Sequence, residues 1–233
     1  MTSDAFRGLF DRLAPFVLER QLIFEKENAG QPWQADVEAG TLVIAERTMR
    51  IEVLATYSSQ SGTLLWSWAR AARFGEGWPS SATRSASRVR ELGRGVPELE
   101  EGMPVLSPED ADDVILVALG LLGGIGVAGG VPLSYRGDHD HGSVYLYVDA
   151  PELVSAVDMP ALRVVSLFPQ LIAMGVPLSS PREAFVAYCV AHAMKVTDAE
   201  RTVRASDRTG SSVTARFDEH GRLEAIDSDL RKG

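Results

Sequence analysis

A chain of 233 residues, of which 45% are hydrophobic, is long enough to bury a substantial core. Its formal net charge of −9 argues against a nucleic-acid-binding surface. The only cysteine, Cys189, cannot form a disulfide within the chain, which favours a reducing, cytoplasmic location. The first residues place acids and arginines inside their apolar pattern, so we do not predict a signal peptide.

The first predicted element is a helix from about Ser3 to Glu27, with apolar residues at helical spacing. Pro15 should kink or interrupt this helix, because proline lacks the amide hydrogen that a helix interior needs. Three strand-like runs follow between Thr41 and Arg70 and are separated by turn residues. An antiparallel meander is the natural result.

The last of these runs carries two tryptophans, Trp66 and Trp68, on the same face, because side chains alternate along a strand. Two interpretations remain open. Together with Tyr57 and Trp78 they would line a binding surface on the sheet, or they form the apolar floor of the core. We favour the core for Trp66 and Trp68, because the helix predicted from Asp112 to Leu122 needs an apolar sheet face to cover it.

A run without charged residues extends from Val114 to Tyr135 and is long enough to span a bilayer. Six glycines and Pro132 interrupt the run, and in water they would end a helix near residue 122. A strand-like segment then resumes. We therefore predict a buried helix, beginning at the Ser107-Pro108 helix start, and no membrane span.

Two further strands, predicted over residues 132–136 and 143–149, enclose the loop Asp138, His139, Asp140 and His141. The imidazoles and carboxylates of this loop are ligands that a divalent metal accepts. A run of aspartate and histidine between two glycines is also typical of a solvated hairpin turn. We favour the turn and predict no cofactor, and the metal site remains the alternative.

From Pro151 onward the pattern becomes helical. Ser180 and Glu183 form a capping box in which Glu183 is expected to reach the backbone of Ser180. The helix that begins there places Cys189 and His192 one turn apart, a spacing that suits a thiol–imidazole nucleophile. A buried cysteine on an apolar stripe is more often a packing residue, which is the interpretation that we favour.

Three more strands, predicted over residues 202–206, 212–217 and 223–227, end the chain. The fold class is therefore α+β, with antiparallel meanders packed against helices and possible division into two similar helix-plus-three-strand units. The hexapeptides at 45–50 and 199–204 differ at only one position, Met49 against Val203. We predict one domain over residues 1–233, with 1–150 and 151–233 as an alternative division, and leave duplication open.

The segment Leu54-Ala55-Thr56-Tyr57, followed by Leu65-Trp66-Ser67-Trp68-Ala69, resembles an uncharacterised family of bacterial domains of unknown function. Its members share a strand ending in G-T-(Y/F) and then W-x-W-x-W or a shortened form. Leu64 stands where the first tryptophan is expected. The resemblance extends over about residues 1 to 150 and implies no catalytic residues.

The sequence contains no G-x-x-x-x-G-K, H-E-x-x-H or G-x-S-x-G motif. Residues 124–129 match the dinucleotide pattern G-x-G-x-x-G, but they follow a helix-like run rather than a strand, so we reject that interpretation. Our leading hypothesis is a non-enzymatic module that binds a protein or a small molecule. The alternative is a metal-dependent, hydrolase-like enzyme that uses the loop from Asp138 to His141. An exposed sheet edge would permit a homodimer.

Overall fold

The computed structural model describes residues 2–69, 83–123, 133–149 and 160–231. The helices in these ranges are α1 (Asp4–Asn28), α2 (Arg84–Leu92), α3 (Pro97–Glu100), α4 (Pro108–Gly123), α5 (Pro160–Ala173) and α6 (Pro181–Ala191). The first six strands are β1 (Trp33–Asp36), β2 (Thr41–Ile44), β3 (Arg47–Ser58), β4 (Thr63–Trp66), β5 (Leu133–His139) and β6 (Gly142–Asp149). The last four are β7 (Lys195–Ala199), β8 (Thr202–Ser206), β9 (Ser212–Phe217) and β10 (Leu223–Asp229).

The strands form two antiparallel sheets, which confirms the predicted α+β class. The first sheet has the order β1-β2-β3-β6-β5, with β4 paired to the far end of β3. The second has the order β10-β9-β8-β7. Among the described residues no helix is both long and apolar enough to cross a membrane.

The helix α1 contributes to the core on both sides of the molecule. Its first half, including Phe10 and Leu13, packs against α4 in one apolar cluster. Phe16 joins the cluster of α5, α6 and the second sheet, and Phe24 joins the cluster inside the first sheet. The helix runs through Pro15 without a break in its assigned span, so the predicted interruption is absent.

A β-bulge in β3 changes which side chains share a face. Val53 pairs with Leu146, and Ala55 pairs with Tyr145, so two residues of β3 oppose one of β6. As a result, Ile51 and Val53 pack in the cluster inside the first sheet, whereas Ala55 packs on the other face, beneath α4. Regular alternation along the strand would place Ile51, Val53, Ala55 and Tyr57 on one face, and this expectation is wrong beyond Val53.

Two strands of the structure were not predicted. β1 precedes the three predicted strands of the first meander and pairs with β2. β7 precedes the three predicted strands at the end of the chain and is the fourth strand of the second sheet. Helix α6 ends at Ala191, with His192 as its C-cap residue, and β7 begins at Lys195. The two units therefore do not share a three-strand plan.

The repeated hexapeptide forms a hairpin turn in both places, with a different register. In the first copy Ile44 pairs with Arg47 across the turn, and in the second Ala199 pairs with Thr202. The two-residue turn is thus displaced by one position, since Ala45 begins one turn and Glu200 the other. The repeated six-residue segment therefore forms a hairpin turn in both places. Duplication of the larger units stays a prediction.

Candidate binding cleft

The two edge strands of the first sheet, β1 and β5, approach each other although they are not paired. The indole of Trp33 on β1 lies 4.5 Å from the ring of Tyr135 on β5, at an interplanar angle of 56°. This contact shows that the sheet curls toward a half-barrel. Phe24 in the last turns of α1 packs against the apolar inner face.

A cleft of about 650 Å³ lies where the second half of α1 passes the edge of β5. Its volume falls in the range of small-molecule binding sites, and the mouth of a curled sheet is a common place for one. Its apolar wall consists of Phe24, Trp33, Ile44, Ile115 and Leu116. Trp33 is 52% exposed, which is unusual for so large an apolar side chain.

The polar end of the cleft is held together by Asp112 on α4. Its carboxylate accepts two hydrogen bonds from Nη1 of Arg136, at 3.0 and 2.8 Å, and one from the hydroxyl of Tyr145 at 2.6 Å. Burial raises the pKa of Tyr145 above its ordinary range, and the hydrogen bond to Asp112 raises it further. This hydroxyl therefore acts as a hydrogen-bond donor at neutral pH.

The guanidinium of Arg136 also donates a hydrogen bond to Asp138, two residues further along β5. Its Nε donates to Oδ1 of Asp138 at 2.7 Å, and the hydroxyl of Ser143 donates to the same oxygen at 2.7 Å. The hydrogen bonds from Ser143 and Arg136 lower the pKa of Asp138. Nη2 of Arg136 makes no hydrogen bond to the described residues, so it is available to a ligand.

A third feature of the cleft is the amide of Gln21 on α1. Its nitrogen donates to the carbonyl of Ser134 at 3.1 Å, and its oxygen accepts from the amide of Ser134 at 3.3 Å. The side chain thus occupies the outer edge of β5 as the backbone of a neighbouring strand would.

The residues predicted from the aromatic pattern lie elsewhere. Trp66 is fully buried, its Nε1 donates to the carbonyl of Glu98 at 3.0 Å, and it packs with α4. Tyr57 is also buried and donates to the carbonyl of Leu106 at 3.2 Å. The favoured interpretation of Trp66 as core is confirmed.

Trp68 is half-buried and does not belong to β4, because the chain becomes helical at residues 67–69. The guanidinium of Arg90 lies 4.3 Å from its ring, in a cation–π contact. Trp78 lies outside the described residues. A binding role for these two tryptophans stays a prediction.

The loop predicted as an alternative metal site is the hairpin between β5 and β6. Asp138 is bound by Arg136 and Ser143, and Nδ1 of His139 accepts from the amide of His141 at 3.2 Å. Across the ranges that the structure describes, no group of three or more histidines, cysteines or acidic residues is arranged to hold a metal. The site formed by Asp138, His139, Asp140 and His141 stays a prediction that this geometry does not support.

The thiol of Cys189 is fully buried, and burial raises its pKa to about 12. Nε2 of His192 lies 3.3 Å from the carboxylate of Glu19. The packing interpretation of Cys189 fits this environment, because a buried neutral thiol is a poor nucleophile.

The residues that form the cleft were not identified from the sequence. Trp33 directly follows the Gly30-Gln31-Pro32 helix stop and precedes a polar stretch, which is the one signal that an exposed aromatic side chain was present. Nothing local indicates that Tyr135 lies against it. The contact depends on the curl of the whole sheet.

A family model named DUF6882, a family of unknown function, matches residues 7–151. The chain belongs to this family. The match confirms the resemblance to a family without an assigned activity. Every residue that lines the cleft lies within the segment that DUF6882 covers. No curated protein and no solved structure matches the chain.

Proposed function

We propose that this protein is a non-enzymatic binding protein and that its ligand site is the cleft between α1 and β5. The observation that carries the proposal is the exposed Trp33 packed at a tilt against Tyr135, beside the fixed polar cluster of Asp112, Arg136 and Tyr145. An apolar wall with a few positioned polar groups is the usual composition of a ligand site.

The polar cluster suits binding better than catalysis. Asp112 is occupied by three hydrogen bonds, and the Tyr145 hydroxyl stays protonated at neutral pH. Neither group is a free base or nucleophile of the kind that general acid–base chemistry requires. The cluster fixes the orientation of Arg136 and leaves Nη2 to donate to a ligand.

The apolar wall predicts a ligand with a planar or aromatic group. Such a group would lie against Trp33 and Tyr135, because aromatic rings attract each other beyond the area that they bury. Gln21 and Ser134 border the same space and provide hydrogen-bonding groups.

Amide NMR with three small probes tests the proposal. Benzyl alcohol, phenylethylamine and benzenesulfonate share a ring and differ in charge. We expect at least one of them to shift the indole signal of Trp33, assigned by its loss in Trp33→Phe, while the buried indole of Trp66 is unaffected.

Two variants complete this test. Tyr135→Ala removes the ring that packs against Trp33 in the cleft, and Ile172→Ala removes an exposed apolar side chain on α5, outside the cleft. Tyr135→Ala should weaken probe binding, and Ile172→Ala should not. Probes that shift the Trp66 or Trp68 indole instead of Trp33 would refute the cleft as the site.

A further inference from the structure

The residues that the structure describes occupy only part of the outer edge of β5. The hairpin closes with His139 paired to Gly142 across a two-residue turn, so His139, Gly137 and Tyr135 direct their backbone groups toward β6. Ser134, Arg136 and Asp138 then direct theirs away from the sheet. The bonds of Ser134 to Gln21 agree with this assignment.

Beyond Ser134 this edge has no partner in the described part of the chain. No hydrogen bond from these ranges reaches the outward amide or carbonyl of Arg136 or Asp138. An unpaired strand edge is a template for another strand. Since Gln21 already pairs with Ser134 through its amide, the next outward position is Arg136, which lines the cleft.

The cleft extends over both faces of this edge strand. On one face lie Trp33 and Tyr135, and on the other Asp112 and Arg136. A strand added to β5 would place alternate side chains on these two faces. One set would contact the aromatic pair and the other the polar cluster.

The charge of the edge selects a cationic partner. Among the described residues that line the cleft, Arg136 is the one cation, and it is bound to the carboxylates of Asp112 and Asp138, while Glu25 lines the same cleft. Glu109, in the first turn of α4, adds negative charge nearby. Lysine or arginine side chains on the polar face of an added strand would meet this excess of carboxylates.

We infer that the cleft binds an extended, cationic peptide segment that pairs with the outer edge of β5 at Arg136 and Asp138. The backbone of the peptide supplies the strand pairing, and its alternate side chains contact the aromatic and acidic faces. This inference rests on the proposed binding function and specifies its ligand class.

A labelled heptapeptide with the sequence Ac-Lys-Phe-Lys-Val-Lys-Phe-Lys-NH2 serves as the probe, with binding followed by fluorescence anisotropy. We expect saturable binding that weakens as salt is raised, because part of the attraction is between exposed charges. Replacing every lysine with glutamate should weaken binding by at least about tenfold. Equal binding of the two peptides overturns the inference.

Two N-methylated versions of this peptide test the strand pairing. One carries methyl groups on the amides of its three apolar residues, and the other on the amides of its three internal or C-terminal lysines. Only alternate amides of an added strand face β5, so one version should lose binding and the other retain it. Equal effects of the two versions contradict strand addition, whichever register the peptide adopts.

Arg136→Pro and Arg136→Ala make the same test on the protein. Proline removes the outward amide hydrogen and is tolerated at sheet edges, whereas alanine retains it. The alanine variant loses the side-chain contact alone, so the proline variant should weaken peptide binding more than the alanine variant does, with the thermal midpoint measured for both. Equal effects of the two substitutions on the peptide affinity contradict pairing at Arg136, and the N-methylated peptides decide the matter if the proline variant does not fold.

The outcomes also separate this inference from the proposed function. If the aromatic probes shift Trp33 but the peptide does not bind, the cleft is a ligand site and the peptide inference is wrong. If neither probe type affects Trp33, both fail. A dimer by light scattering together with no peptide binding would indicate that a second copy of the chain occupies this edge, and would overturn the inference.

Discussion

The carboxyl group of Asp113 shows how a single residue is affected by its position at the start of α4. Burial raises its pKa to about 6, and the charges of Asp110, Asp112 and Glu109 contribute to the shift. A carboxylate with a raised pKa is less favourable in the folded chain than in the unfolded one. Its charge therefore destabilises the fold at neutral pH.

Asp113→Asn should stabilise the protein at neutral pH. The penalty develops as pH rises from the ordinary aspartate value toward the raised one, and is constant above it. Because the group is only half-buried, we expect a gain of about 1 kcal/mol at about pH 8 and almost none near pH 3, below both values. Urea denaturation at the two pH values measures it.

The exposed Glu38 provides a matched control for Asp113. Glu38→Gln removes one negative charge without relieving a buried one, so it should leave the free energy of unfolding nearly unchanged. Equal stabilisation by both substitutions would show that net charge, rather than the site of Asp113, is responsible.

At the scale of elements, the start of α6 is capped from two directions. The hydroxyl of Ser180 accepts from the amide of Glu183 at 3.3 Å, which is one half of the predicted capping box. The expected bond from the backbone of Ser180 to the Glu183 side chain is absent, because the amide of Ser180 donates to Asp11 of α1 at 2.9 Å. The second oxygen of Asp11 accepts from the amide of Ser179 at 2.8 Å.

Asp11→Asn should destabilise the fold, because the new amide group places a donor opposite a backbone donor. Asp11 is only 2% exposed, so water cannot replace the lost bond. We expect a loss of about 1–3 kcal/mol in the free energy of unfolding, measured by urea denaturation. Ser180→Ala, which removes the local cap alone, should cost about 1 kcal/mol.

Glu183→Ala is the control that distinguishes the two capping schemes, because it removes the side-chain acceptor that a complete capping box requires. If the predicted box were complete, this substitution would cost about 1 kcal/mol, as the loss of a cap does. In the structure Glu183 contributes its backbone amide but no side-chain bond to Ser180, so the substitution should be nearly neutral.

At the scale of the whole molecule, a buried polar cluster joins the segment that DUF6882 covers to the C-terminal helices. Glu19 on α1 accepts from the hydroxyl of Tyr188 on α6 at 2.8 Å and lies 3.3 Å from His192. Burial alone would raise the pKa of Glu19, but the contacts with His192 and Tyr188 together hold it below its ordinary value.

Tyr188→Phe should destabilise the protein by about 1–3 kcal/mol at neutral pH, because Glu19 loses a buried donor. The pKa of Glu19 is lowered in the folded chain, so the stability that its charge contributes is present above the ordinary glutamate value and is lost as pH falls. The cost of the substitution should therefore shrink in acid. Thermal unfolding across the acid range measures this trend.

Tyr147→Phe is the matched control, since the half-buried hydroxyl of Tyr147 makes no hydrogen bond to the described residues. It should change the midpoint little at any pH. A pH-independent loss in Tyr188→Phe would instead assign Tyr188 a role in packing alone.

The two parts of the chain that could form separate domains share the helix α1. α1 packs with α4 on one side and with α6 on the other, and its residues enter all three apolar clusters. This sharing favours the prediction of one domain over residues 1–233. It stays a prediction, and the cluster around Glu19 is where the two segments are joined.

Local chemistry in the sequence determined the fold class, the helix start at Ser107-Pro108, the cap at Ser180 and the burial of Trp66. Each follows from periodicity or from groups a few residues apart. Only the tertiary structure decided the bulge in β3, the partner of the Ser180 amide and the contact of Trp33 with Tyr135. These three features depend on residues that are far apart in the chain and meet only when the sheet curls around α1. No spacing within the sequence encodes the distance between the two edges of the sheet.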